Sequence, residues 1–144
     1  MKTVGQLLQT KGHEILSIHP DATVYDALVL MAEKQVGALM VMQGDTLVGI
    51  FSERDYARGV ALKGKSSKEM PVSEIMTPQN CLITVTPLST VQECLDLVSD
   101  KRIRHLPVVE GGKVSGLVSI GDLVKETIAY QRFLIDQLES YIKS

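Results

Sequence analysis

A chain of 144 residues is one domain's worth and lets folding bury about two-thirds of the surface that the unfolded chain exposes. Its hydrophobic fraction of 44%, with no Trp and 2 Phe, calls for an aliphatic core of Val, Leu, Ile, Met and Ala and excludes a disordered chain. A formal net charge of -2 with a pI near 5.9 gives no general attraction to nucleic acid or to an anionic membrane. No segment approaches the ~20 apolar residues of a membrane span, and the first residues lack the apolar stretch of a signal peptide. A cytoplasmic protein is expected. Cys81 and Cys94 have no CxxC spacing and no nearby His, so both read as small core hydrophobes in a reducing compartment rather than as metal ligands.

In chain order, residues 1–12 read as a lead-in helix, 13–62 as a first motif, 63–76 as a linker with a second lead-in, 77–130 as a second motif and 131–144 as a C-terminal helical extension. In the first motif Thr23 followed by Asp26 is the capping-box signature of a helix start. Val24, Ala27, Leu28 and Met31 then recur at helical spacing as one buried stripe. Two strand runs follow, Ala38 to Met42 and Leu47 to Phe51. They are joined at Gln43-Gly44-Asp45, where Gly supplies the positive φ of a hairpin turn. A second helix starts near Ser52. Lys63-Gly64-Lys65-Ser66-Ser67-Lys68-Glu69 is small, polar and charged, and is expected to be a flexible linker.

The second motif repeats this grammar. Thr90 and Glu93 cap a helix with the stripe Val91, Cys94, Leu95 and Val98. The strands Leu106 to Val109 and Val114 to Ser119 flank Glu110-Gly111-Gly112, and a long helix runs from near Ser119 to Lys143. Pro107 lacks an N–H, so its strand should leave that side unpaired. The part beyond Gln131 is expected to pack on another subunit or on the lead-in helix. Residues 18 to 58 lie over residues 85 to 125 without a gap, with 12 identical positions including Pro20/Pro87, Gly44/Gly111, Gly49/Gly116, Ser52/Ser119 and Asp55/Asp122. An internal duplication is therefore the dominant signal in the chain.

Two copies of Pro-x-x-Thr-Val, a helix, a Leu-x-Val strand, a Gly turn and Gly-hydrophobic-hydrophobic-Ser-x-x-Asp resemble the paired CBS domains named after cystathionine β-synthase. The resemblance covers most of the chain and is similar to small stand-alone bacterial pairs of the signal-transduction type. It implies an α/β (α+β) fold of two β-α-β-β-α motifs about a pseudo-two-fold axis, with two clefts that take AMP, ADP, ATP or NAD, and S-adenosylmethionine less readily. Carried over, it implies that Asp122 and Asp55 hold ribose hydroxyls and that Ser119 and Ser52 lie near phosphate. It makes Arg104, His105 and Thr84 further contacts of the second motif. Gly37 and Ala38 occupy the Arg104 and His105 positions in the first motif, which therefore lacks that cationic pair, and Arg54 is present only there.

The chemistry of these residues agrees. A carboxylate accepts both ribose hydroxyls, a helix N-terminus offers unpaired N–H groups to phosphate, and an Arg fork suits its oxygens. Ser-x-x-Asp is equally a capping box. Arg54 reads as a solvated helix arginine or a phosphate contact, and His105 as structural or as a donor. His13 and His19 read as surface residues, and Met31, Met40, Met42, Met70 and Met76 as core filler. No nucleophile–base set, phosphate loop or metal cluster is present, so no catalytic or metal-binding residue is assigned and an enzyme is not expected. The expected function is a regulatory module that senses an adenine nucleotide in the cleft between its motifs, acts as a homodimer and signals to a downstream protein partner. The alternative is a dimeric scaffold without nucleotide. The sequence names neither the physiological nucleotide nor the downstream protein.

Overall fold

The computed structural model describes residues 2–143 and is mixed α/β. Its elements in order are α1 (Val4–Lys11), β1 (Ser17–Ile18), α2 (Val24–Lys34), β2 (Ala38–Gln43), β3 (Thr46–Ser52), α3 (Glu53–Tyr56), β4 (Thr77–Pro78), α4 (Val91–Lys101), β5 (His105–Glu110), β6 (Lys113–Ser119) and α5 (Ile120–Lys143). A π-helical turn, Ala57–Ala61, extends α3, and short 3-10 turns cover Val72–Glu74 and Gln79–Cys81.

Two compact units form, and they do not follow the order of the repeats. One holds the N-terminal segment through His13, Thr84–Glu110 and the chain from Ser115. The other holds Glu14–Ile83 and Gly111–Val114. Each repeat is thus packed with a segment that precedes the other one in sequence.

In the Glu14–Ile83 unit, β1 pairs parallel with β2, β2 antiparallel with β3, and β3 antiparallel with β4. Val24, Ala27 and Met31 of α2 pack with Leu39, Val41, Phe51, Val60 and Val72, the aliphatic core that the composition requires. The Thr23 hydroxyl accepts the Asp26 N–H at 3.1 Å, and Thr90 accepts that of Glu93 at 3.1 Å, so the hydroxyl half of each expected capping box forms. Both hairpins turn through glycine at positive φ, Gly44 at 61° and Gly111 at 57°.

In the other unit, β5 and β6 form the second hairpin, and Val4, Leu8, Val91, Cys94, Val98, Leu106, Val108, Val118 and Leu123 are buried. Val85 bridges β5 at Val108, with its N–H donating to the Pro107 carbonyl at 3.0 Å. Pairing on that side starts at the proline's carbonyl and needs nothing from its nitrogen, as a strand proline requires.

Two expectations are corrected. Residues 63–69 are not a free linker. The Tyr25 N–H donates to the Ser67 carbonyl at 3.0 Å, and the Val24 N–H to that of Met70 at 2.9 Å. First-turn N–H groups have no partner inside a helix, and this segment supplies them. Cys81 is exposed rather than core, because it falls in a 3-10 turn beyond β4. Cys94 is buried as expected, and burial, with the Glu93 charge adding, pushes its thiol up to about 11. Among the described residues no helix is long and apolar enough to cross a membrane.

Candidate functional site

Each repeat sends its last strand into a helix at Ser-x-x-Asp. In the first, Asp55 Oδ2 accepts the Ser52 N–H at 2.9 Å and its hydroxyl at 3.0 Å, while the Asp55 N–H donates to Ser52 Oγ at 3.3 Å. In the second, Asp122 Oδ2 accepts the Ser119 N–H at 2.9 Å, and the Asp122 N–H donates to Ser119 Oγ at 3.2 Å. Both are reciprocal caps that hold serine and carboxylate side by side where helix N–H groups are unpaired. The capping reading of these residues is therefore realised, and it also fixes the geometry that a ligand would meet.

The residues aligned across the repeats meet these junctions in the same way. The Glu53 N–H donates to the Gly37 carbonyl at 3.1 Å, and the Ile120 N–H to that of Arg104 at 2.9 Å. Gly37 and Arg104 thus adjoin the first turns of α3 and α5, and Ala38 pairs with Ser52. Arg104 and Thr84 are exposed and His105 is half-buried at the start of β5. Thr84 lies one residue before the Val85–Val108 bridge. Arg54 is exposed on α3. His13 and His19 are at the surface, and Met31, Met40 and Met70 are in the core, with Met42 and Met76 half-buried.

Sequence reasoning missed the third member of each site. Lys11, the last residue of α1, places Nζ 2.5 Å from Asp122 Oδ2 and 2.5 Å from the Leu117 carbonyl. In the other unit Thr77 Oγ1 donates to Asp55 Oδ1 at 3.2 Å. The two carboxylates are therefore held by different chemistry, a cation at Asp122 and a neutral hydroxyl at Asp55. Partial burial pushes the Asp122 carboxyl upward. The Lys11 ammonium and the Ser119 N–H and hydroxyl outweigh that, and the group sits below its ordinary value. Lys11 precedes the aligned repeat, and no local pattern linked it to Asp122. Among the described residues no group of three His, Cys, Asp or Glu could hold a metal ion.

The CBS domain family model matches the chain twice, over residues 4–61 and 72–128. The chain belongs to the CBS domain family. As a tandem CBS pair it is 40% identical over 148 residues to the CBS domain-containing protein CBSX3, mitochondrial, of Arabidopsis thaliana, covering 98% of this chain and 72% of that one. Among solved structures, a protein with CBS domains from Burkholderia ambifaria MC40-6 superposes with a TM-score of 0.84 at 49% identity, over 89% of this chain and 95% of that one. CBSX2, solved in complex with AMP, superposes with a TM-score of 0.73 at 27% identity, over 91% and 99% of the two chains. The CBS pair is a regulatory module, and its mixed α/β fold with a long C-terminal helix agrees with these neighbours.

Proposed function

We propose that this CBS pair senses an adenine nucleotide, AMP, ADP, ATP or NAD, at the Ser119–Asp122 junction, with Ser52–Asp55 as the weaker counterpart. The observation that carries this reading is the AMP complex of its structural neighbour CBSX2. It is supported by a junction that offers the two chemistries a nucleotide needs. Asp122 accepts ribose hydroxyls, and the first turn of α5, with Arg104 beside it, faces phosphate. Thr84 and His105 complete the second site. Gly37, Ala38 and Arg54 stand in the corresponding places of the first, where the one cation among them is on α3. Ribose must compete with Lys11 for Asp122, so binding there displaces a contact of α1 and transmits occupancy to that helix. No nucleophile–base pair accompanies these residues, and the nucleotide is a signal rather than a substrate, returned unchanged after incubation.

The test is calorimetric titration of AMP, ATP, NAD and S-adenosylmethionine into nucleotide-free protein. Micromolar binding of at least one is expected, weakened by roughly ten- to a hundred-fold (about 1.5–3 kcal/mol) in Asp122→Ala by loss of a charged acceptor. Undiminished affinity in that variant would move the ribose elsewhere.

A second copy of the chain is the proposed structural partner. Beyond Gln131 the helix α5 exposes Ile135 (53%), Leu138 (62%) and Ile142 (78%). With Val124 and Ile128 they continue one apolar stripe at three-, four- and seven-residue spacing, the pattern by which helices pair. No binding by any of the four compounds, together with dimer formation, would favour the scaffold reading. The downstream protein is to be sought through this same surface.

A further inference from the structure

We propose that a cleft beside the π-helical turn of the first repeat binds compact phosphate-bearing anions, with inorganic diphosphate as the minimal ligand. The cleft encloses about 290 Å³, at the small end for a ligand site, and lies wholly within the Glu14–Ile83 unit. Arg58, Lys63 and Lys65 line it. Among the described residues none of the three takes part in an ion pair.

The two carboxylates in the same wall offset them only in part. Asp55 is committed to Ser52 and Thr77 through both of its oxygens. Arg58, Lys63, Lys65 and Glu74 are exposed, and the three cations outnumber the carboxylates Asp55 and Glu74 by one, so the wall keeps a net positive charge. That excess is complemented by a compact anion of higher charge density than a side chain can offer. No aromatic side chain lines the cleft. It therefore has no stacking surface for a nucleobase, and the chemistry favours phosphate groups over a nucleoside.

The duplicated fold does not require this cleft. At Arg58 the two repeats part: the second continues past its counterpart, Lys125, as the straight α5, while the first bends into the π-helical turn. The Leu62 N–H then donates to the Ala57 carbonyl at 3.0 Å and the Lys65 N–H to that of Val60 at 3.1 Å. Gly64 reverses the chain at a φ of 65°. That reversal brings Lys63 and Lys65 back beside Arg58. Gly59 makes room for the opposite wall, since a Cβ there would lie 2.9 Å from Ile75 Cγ2. π-helical turns recur at functional sites because they cost regular hydrogen bonding.

The experiment titrates sodium pyrophosphate into the full chain without nucleotide, followed by calorimetry and phosphorus NMR. Saturable sub-millimolar binding is expected, weakened about tenfold by K63Q/K65Q through loss of two charge-assisted contacts. Glu74→Gln should tighten it about threefold by removing a like charge, a gain that misfolding cannot mimic. Competition by ATP but not AMP would assign the source to a nucleotide's phosphate tail, and absence of competition by either to a free diphosphate. Because the readout is pyrophosphate alone, failure of AMP to bind at Asp122 leaves this proposal standing. Absence of saturable binding, or wild-type affinity in both variants, would overturn it.

Discussion

Asp122 performs two tasks with one carboxylate, capping α5 and receiving Lys11; the ion pair acts only when it is ionised, and the cap is stronger then. Its folded-state proton affinity is therefore below that of the unfolded chain. The stability it contributes is present above the ordinary value of 3.8 and is lost as pH falls through the lower folded value. The melting temperature of Asp122→Asn should lie below that of the wild type at pH 7, and the gap should begin to narrow below about pH 4 and close only below the folded value. A gap independent of pH would show that shape, rather than charge, matters at this position. The pair is part-exposed, with side-chain exposures of 37% and 23%, so Lys11→Met should cost no more than about 1 kcal/mol in urea denaturation. Asp122 was legible because its counterpart Asp55 is repeated in the sequence. Lys11 was not, because a contact across 111 residues leaves no periodic trace.

Among the elements, the repeated glycines Gly49 and Gly116 show how one sequence feature can serve two structural ends. A Cβ on Gly49 in β3 would lie 2.6 Å from the Thr77 carbonyl oxygen of β4, whereas on Gly116 in β6 it would meet Leu8 Cδ2 of α1 at 2.8 Å. Backbone cannot retreat as a leucine tip can. Gly49→Ala should accordingly cost about 2–3 kcal/mol and Gly116→Ala about 1 kcal/mol, read from urea midpoints. Equal losses would mean that α1 is held as rigidly as β4. The ends of α2 and α4 repeat as well, since Gln35 and Arg102, aligned across the copies, both cap their helices in the left-handed region at φ near 55° and 53°. Neither is the glycine that this conformation favours. The helix starts were legible from Thr23 and Thr90, while these ends carried no residue-type signal.

For the whole molecule, α5 connects the candidate site to the proposed self-association surface, because its first turn belongs to the former and its last turns expose the apolar stripe. Sedimentation equilibrium should give a dimer for the wild type and a monomer for Ile135→Glu/Leu138→Glu, with the melting transition retained. A monomeric wild type would remove the proposed partner. What the sequence determined by itself was everything periodic or duplicated: the helical stripes, the two hairpins, and Ser52, Asp55, Ser119 and Asp122 as a repeated pair of junctions, with the family and its α/β class following from the resemblance that the repeated motifs carry. The stripes, hairpins and junctions follow from near-neighbour rules of spacing, capping and turn chemistry, which act along the chain. Only the tertiary structure decided that residues 63–69 are anchored to α2. It alone brought Lys11 and Thr77 to the two carboxylates and gathered Arg58, Lys63 and Lys65 around one cleft. These are contacts between segments that no period relates, and they arise when each repeat packs with a segment preceding the other.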